Sequence, residues 1–423
     1  MHVLRLFVAV GSVLLLTTAV HAGNRAGSNP QLSLPAVELR EVARGFTAPI
    51  TLTAPDDGTN RRFIVDQIGV VYVLLPDDTL LETPFLDIRD RLVELRTSRN
   101  DPRGLLSLAF HPAYATNGRF FIFYTVPPRA DAPSGTQYTD VLAEMHVDAA
   151  DANRADLTTE RILAHFDHQS LEHSGGQLVF GSEGDLYIGL GDDDRPAETS
   201  QNVESPFGSI LRIRVDPVDA DVPYSIPADN PYVDSPGLDE VYAKGFRHPW
   251  RMSFDSEFGL LVADPAWTFR ASEINQIIPG GNYGWNIVPT QCYDGDQVVE
   301  GCLTADTGEA LVPPVLEYGG DVGRIVIGGY VYRGSAIPAL QGKYVFGEWG
   351  VQVRNNAQIF AAQPNPDGRW EFETLIERPF RVGTSLWGFG QDAAGELYAM
   401  SLLGAVLQGT TGVVYQIVPA DGG

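Results

Sequence analysis

The sequence predicts an all-β fold, a β-propeller of about six blades, on three observations. Strand signals run from Val37 to the far end, as short clusters of Val, Ile, Tyr and Phe punctuated by Gly, Pro, Asn and Asp. No long stretch carries apolar residues at sustained helical spacing. One unit recurs about six times: a polar turn, often Asp-Gly or Asn-Gly, followed by an apolar strand with an aromatic.

The copies run along the chain in order. Asp57-Gly58 leads into Phe63-Ile64-Val65, Asn117-Gly118 into Phe120–Tyr124, and Glu183-Gly184 into Leu186-Tyr187-Ile188. Phe258-Gly259 leads into Leu260-Leu261-Val262, Gln341-Gly342 into Tyr344-Val345-Phe346, and Ala394-Gly395 into Leu397-Tyr398-Ala399. Their spacing of roughly 50 to 85 residues exceeds a compact blade repeat and implies loops inserted on one face. Val413–Ile417 and the early Val37-Glu38-Leu39 are expected to complete one blade together and close the ring. Two β-sandwich domains would need a linker midway, and none is legible, so residues 36–420 are read as one domain.

Composition narrows the partners. With 54 acidic against 29 basic side chains, the formal charge of -25 repels phosphate backbones and anionic lipid, so nucleic acid is excluded as a natural partner. The first residues carry Arg5, an apolar run from Leu6 to Leu16, and small residues ending Val20-His21-Ala22. This is the layout of a secretory signal over residues 1–22, and its apolar run is shorter than the roughly 20 residues a membrane span needs. Residues 23–35, rich in Gly, Asn, Ser and Pro, read as a flexible leader. The mature protein is therefore expected to be secreted or periplasmic, with no membrane span after signal cleavage. Its two cysteines, Cys292 and Cys302, are close in sequence and in an oxidising compartment form one local disulfide.

The stretch from His173 to Asp194 carries the chemistry. It places a histidine before one apolar strand, a Gly-containing turn, a second strand, and then Asp192-Asp193-Asp194. If the strands pair as a hairpin, His173 and Asp192 meet at one end of the sheet. A neutral imidazole accepts a proton at working pH, and such catalysis contributes about 10²- to 10⁴-fold. Asp193 and Asp194 are read as a solvated loop, His111-Pro112 as a structural turn, and Arg251 as either an ion-pair partner or a ligand contact.

Five ordered motifs carry a resemblance: Arg103–Pro112, the His173 hairpin, Gly245-Phe246-Arg247-His248-Pro249-Trp250-Arg251, Glu273-Ile274-Asn275 with Gly280–Trp285, and Gly328–Gly334. Together they resemble the soluble quinoprotein glucose/sorbosone dehydrogenase family, which includes aldose sugar dehydrogenases and hedgehog-interacting-protein-like proteins. The resemblance implies a six-bladed propeller that binds pyrroloquinoline quinone (PQQ) and calcium (Ca2+) and oxidises a sugar at its anomeric carbon. His173 matches the family's base, Asp192 the carboxylate supporting it, and Arg247 the arginine beside the quinone carbonyl. His248 stands where the family commonly has asparagine and is a candidate ligand contact. For calcium, the resemblance points to Asp264 and Pro265, and for a structural calcium to Glu273, the Tyr283 carbonyl and Asp294 or Asp296. Trp250, Trp267 and Trp387 are candidate stacking walls.

Departures from the family pattern bear on activity. Pro102 falls where glucose dehydrogenases carry a glutamine near the quinone, and Thr384-Ser385-Leu386-Trp387-Gly388-Phe389 lacks the arginines that grip its carboxylates. Arg324, which precedes the Gly-Gly-Tyr strand, is the best-placed substitute, with Arg333, Lys343, Arg354, Arg378 and Arg381 behind it. No Cys-x-x-Cys-His occurs, so electrons would leave to a separate acceptor. Three functions follow: a PQQ- and calcium-dependent sugar dehydrogenase, a non-catalytic propeller that binds carbohydrate or protein, and a calcium-dependent lactone hydrolase.

Overall fold

In every recurrent unit the turn glycine adopts a left-handed conformation: φ is 73° at Gly58, 65° at Gly118, 84° at Gly184, 71° at Gly259, 75° at Gly342 and 80° at Gly395. Glycine reaches that region without the Cβ penalty of other residues, so each copy can turn tightly between two strands. In a computed structural model of the chain, the strand that each of these glycines leads into is the second strand of a four-stranded sheet or of one half of an eight-stranded sheet. The structure describes residues 32–97, 100–216, 221–265, 272–287, 293–294, 297–298, 308–320, 322–350, 357–366 and 368–420. Leu34–Gly423 is one compact unit, and every strand among the described residues falls in it.

Four sheets have four antiparallel strands each. They comprise β6 (Leu105–Phe110), β7 (Arg119–Val126), β8 (Tyr138–Val147) and β9 (Ala155–His168); then β10 (Gly175–Phe180), β11 (Leu186–Leu190), β12 (Ser209–Ile213) and β13 (Val241–Lys244). Next come β14 (Arg251–Asp255), β15 (Gly259–Asp264), β16 (Ser272–Gln276) and β19 (Leu316–Tyr318), with the ribbon β17 (Tyr293–Asp294) and β18 (Gln297–Val298) inserted between the last two. The fourth is β20 (Val326–Val331), β21 (Tyr344–Glu348), β22 (Gln358–Pro364) and β23 (Trp370–Glu377).

The remaining strands form one eight-stranded sheet with two halves. One half is β2 (Pro49–Thr53), β3 (Arg62–Asp66), β4 (Val70–Leu74) and β5 (Leu86–Asp87). The other runs β24 (Thr384–Gln391), β25 (Leu397–Leu403), β26 (Gly412–Pro419) and, from the opposite end of the chain, β1 (Val37–Phe46). A single parallel pairing, Leu52 with Gly390, joins the halves. The expected closure is present, with Leu39 opposite Ile417.

First strands touch in sequence around a closed ring: β2 meets β6, β6 meets β10, β10 meets β14, β14 meets β20, β20 meets β24, and β24 meets β2. Burial explains the ring. The first two strands of each sheet are largely buried on both faces, many of them by apolar residues such as Phe120-Phe121-Ile122-Phe123 of β7 and Val345-Phe346 of β21, so each sheet needs a neighbour on either side. Between β3 and β6 the rings of Phe63 and Phe110 pack edge to face at 4.7 Å, and Phe63 packs on Phe85 at 4.9 Å. No helix among the described residues is long and apolar enough to cross a membrane, which says nothing about crossing by strands.

Candidate active site

The ends of β10 and β11 are brought together by residues without room for anything larger. Gly175 pairs with Leu190, and a Cβ built on Gly191 would lie 1.9 Å from the carbonyl oxygen of His173, so only glycine allows this approach. His173 itself has a φ of 59°, and Asp193 and Asp194 have φ of 55° and 52°. Three non-glycine residues in the left-handed region at one site mark a backbone held against its own preference by its surroundings.

His173 Nδ1 lies 2.6 Å from Asp192 Oδ1. A carboxylate only accepts, so Nδ1 carries the hydrogen and Nε2 of the neutral ring keeps its lone pair. Asp192 is fully buried and receives two further donors: its Oδ1 accepts from the Asp194 N–H at 2.8 Å, and its Oδ2 from the Trp285 indole N–H at 2.7 Å. Its own backbone N–H donates to the Arg247 carbonyl at 2.8 Å, which ties this loop to the next sheet.

Arg247 and His248 are set by Asp264 at the end of β15. Both of its oxygens accept backbone N–H groups, from Arg247 at 2.8 Å and His248 at 2.7 Å. Burial pushes the Asp264 carboxyl up to about 6, against the downward pull of those two donors. The Arg247 guanidinium donates to the Pro265 carbonyl at 3.0 Å and lies 5.7 Å above the Trp285 ring. Burial lowers its pKa as well. The His248 ring is held neutral, well below the usual range, by burial and then by the nearby His173 and the Arg247 charge. Its buried Nδ1 has no hydrogen-bond partner among the described residues.

These groups face a cavity of about 350 Å³ at the end of the ring where the first strands begin. Its polar lining is His173, Arg247, His248, Glu172, Asn100 and Asp101, with Pro102 and Pro265 beside them, and its apolar lining is Trp250, Trp349, Trp387, Ile325 and Ile327. Glu172 pairs with Arg96 at 2.9 Å. Trp387 is pinned through its indole N–H to Gln67 Oε1 at 3.3 Å.

The structure therefore brings together His173, Asp192, Arg247, His248, Asp264 and Pro265. It places Arg324 apart from them: that side chain is exposed, and its neighbour Ile325 lines the cavity instead. Glu273 sits on β16 opposite Asp264 and Glu317, and the Tyr283 hydroxyl accepts from the Ile278 N–H and donates to the Gln276 carbonyl. No group of three or more His, Cys, Asp or Glu side chains among the described residues is arranged to hold a metal. The Asp294 side chain, Asp296, Cys292, Cys302, Trp267 and Arg354 lie outside the described residues, as does the proposed signal segment.

Two readings are corrected. Asp193 is not part of a solvated loop: it is buried, accepts the Gln169 and Ser170 N–H groups, and contacts His168 Nδ1 at 3.1 Å. His168 is wholly buried between Asp193 and Asp140, whose carboxylate is 2.9 Å from Nε2. Burial acts to lower its pKa, but the two carboxylates override it and raise the imidazole to about 9. Arg251 is not an ion-pair partner among the described residues; it bonds only a carbonyl and an amide oxygen. Trp285 and Trp349 were not singled out from sequence. Trp285 had a signal, the indole ending the Gly280–Trp285 motif, whereas Trp349 follows a buried strand and carries none.

A family model described as Glucose / Sorbosone dehydrogenase matches residues 47–361. The human Hedgehog-interacting protein is 32% identical over 403 residues, 90% of this chain, and the chain spans only 52% of that protein. Among solved structures, the Escherichia coli soluble aldose sugar dehydrogenase superposes with a TM-score of 0.69 at 19% identity, covering 91% of this chain and 100% of that one. The PQQ-bound aldose sugar dehydrogenase of Streptomyces coelicolor does so with a TM-score of 0.62 at 17% identity, covering 91% and 100%. The structural likenesses concern the fold, which is that of the family's propellers, and family members bind PQQ. With the matched segment covering most of the chain, this protein belongs to the glucose/sorbosone dehydrogenase family.

Proposed function

We propose that this chain is a sugar dehydrogenase in which His173 removes the proton from a carbohydrate hydroxyl. The observation that carries this reading is the Trp285–Asp192–His173 relay, which ends on a basic nitrogen at an aromatic-walled cavity. Sugars present flat C–H faces that stack on tryptophan, and Trp250, Trp349 and Trp387 provide such surfaces.

The described walls fit the planar ring of PQQ and one of its charges. The tryptophans and Ile325 and Ile327 supply flat apolar faces, Arg247 supplies a guanidinium, and the buried His248 Nδ1 offers an unused polar atom. When bound, PQQ supplies the acceptor for the hydride that leaves the sugar carbon. His173 Nε2 takes the hydroxyl proton, Asp192 stabilises the resulting imidazolium, and Arg247 holds positive charge where negative charge develops. For calcium the described donors are too few. Both Asp264 oxygens accept backbone N–H groups and the Pro265 carbonyl accepts Arg247, so no step is assigned to it.

We further read the eight-stranded sheet as two blades, giving six in all. Residues 1–22 are proposed as a secretory signal, 23–35 as a leader and 36–420 as the propeller, placing the mature protein outside the cytoplasm with a sugar substrate and a separate electron acceptor. Reconstitution with PQQ and calcium, followed by calorimetry and dye reduction with an aldose panel, tests the reading. It requires PQQ binding, aldose-dependent reduction, and loss of turnover in His173→Ala; wild-type turnover in that variant would refute the base assignment.

One observation favours a second reading, a propeller that binds carbohydrate without oxidising it. Arg247 is the one guanidinium lining the cavity among the described residues, against three carboxylates on PQQ, and β24 presents Trp387 rather than arginine. Sugar binding without PQQ binding would establish it.

A further inference from the structure

Carboxylates at the cavity end of the ring follow a rule, and His173 sits at its exception. Asp66 closes β3, and its two oxygens accept the Thr47 and Ala48 N–H groups, just before β2, at 2.7 and 2.9 Å. Asp264 closes β15 and accepts the Arg247 and His248 N–H groups, just before β14. Glu348 closes β21 and accepts the Ile325 N–H, just before β20, at 3.0 Å. In each case the last residue of a second strand clasps the backbone that enters the first, satisfying N–H groups that would otherwise be left unpaired.

Asp192 follows the end of β11 by two residues, yet among the described residues it accepts no N–H from the segment that enters β10. Its oxygens take the His173 ring, the Asp194 N–H and the Trp285 indole. The clasp is made instead by Asp193, whose Oδ2 accepts the Gln169 N–H at 2.9 Å and whose Oδ1 accepts the Ser170 N–H at 3.0 Å. Two side chains brace Asp193 in turn. Arg195 reaches Oδ2 through Nε at 2.9 Å and Nη2 at 2.8 Å, and the His168 ring meets Oδ1 at 3.1 Å. That ring is fixed by Asp140 at 2.9 Å and by stacking on Tyr138, 4.4 Å away with the planes 13° apart, and the Tyr138 hydroxyl lies 2.7 Å from Ser174 Oγ. His173 is thus restrained along the chain from both sides, through Gln169 and Ser170 before it and Ser174 after it. The restraint bears on a residue whose φ of 59° is one that it would not adopt unaided.

We propose that Asp193 is a positioning residue for His173: by taking over the backbone clasp it keeps residues 169–172 in place and leaves Asp192 free to hold the imidazole with its hydrogen on Nδ1. A single carboxylate asked to do both would have to share two oxygens among the ring, the indole and the entering N–H groups. Adjacent aspartates divide that work, one orienting the side chain and the other its backbone.

Imidazole nitrogen NMR spectra of the full chain, recorded at mildly alkaline pH without quinone or sugar, test this, with the His173 signals identified by their absence in His173→Gln. In the wild type the ring is expected to show one tautomer, with the hydrogen on Nδ1. Asp193→Asn keeps the shape of the side chain and is expected to give a mixture of both tautomers. Should that variant not fold, Arg195→Gln, a partly exposed substitution that removes one brace, takes its place with the same expectation. Glu396→Gln is the control: Glu396 accepts the Ser335 and Ala336 N–H groups at 2.8 and 2.9 Å at the opposite end of the ring, so its loss lowers Tm without touching His173. A single tautomer in the folded variant, or a mixture in Glu396→Gln as well, would overturn the proposal. Dye-linked turnover adds an arm that rests on the dehydrogenase reading. There kcat of Asp193→Asn is expected to fall about 10²-fold with KM for the sugar little changed, and an unchanged kcat counts against positioning. An inactive wild type would refute the dehydrogenase reading, while the ring spectra still decide on Asp193.

Discussion

Trp285 donates its indole N–H to Asp192 Oδ2, the oxygen that His173 does not use, so the His173 ring is oriented through a carboxylate gripped from both ends. Trp285→Phe keeps a ring beneath Arg247 and removes only the donor. Losing that hydrogen bond leaves Asp192 Oδ2 without its indole donor and loosens the carboxylate that orients His173. The expected result is a fall in kcat/KM of about tenfold, with PQQ binding by calorimetry little changed. A variant with wild-type kcat/KM would show that the indole donor does not position His173.

Asp192→Asn tests the tautomer. An amide can present its N–H to Nδ1, which then accepts and leaves the hydrogen on Nε2, the wrong nitrogen for a base. Dye-linked turnover is expected to drop about 10³- to 10⁴-fold, with sugar affinity measured by calorimetry little changed.

The buried His168 between Asp140 and Asp193 makes stability depend on pH. Its folded pKa, about 9, lies above the ordinary 6.5, so the folded state binds the extra proton between those values. Stability from this group is complete below about pH 6.5 and is lost as pH rises toward 9. Tyr138 and Phe207 pack on the ring and bring no further charge at these pH values. Buried Asp264 and Glu348, raised to about 6 and about 7, act with the same sign in a more acidic window. Urea denaturation midpoints should therefore fall between pH 6.5 and 9, and His168→Gln should cost about 3 kcal/mol at pH 6.5 and flatten that slope.

Gly191→Ala places a methyl group against the His173 carbonyl. Overpacking of this kind costs about 1–3 kcal/mol, and here it separates the two strand ends that hold His173 and Asp192. Tm and turnover should both fall. A variant with wild-type turnover would show that the base tolerates displacement.

Much of this architecture was legible because the physical signal is local. Each second strand is announced by a glycine that only a tight left-handed turn requires, and the His173–Asp192 pairing follows from a hairpin whose ends must meet. What escaped was long-range. Asp193 reads as one of three equivalent aspartates, and only the packing of His168, 25 residues away, decides that it is buried. Trp349 at the cavity and the bonding of Arg251 to a carbonyl and an amide oxygen likewise depend on which sheets face one another. That arrangement is a property of the closed ring and is written in no single segment.

The pairing of Val37–Phe46 with Gly412–Pro419 sets a condition on biogenesis. The last half-sheet borrows its outer strand from the beginning of the chain, so the ring cannot close until nearly the whole polypeptide is available. A nascent chain must hold its earlier sheets with one flank uncovered for that interval. Non-local contacts of this separation slow folding, which makes the waiting period the stage at which chaperone protection matters most.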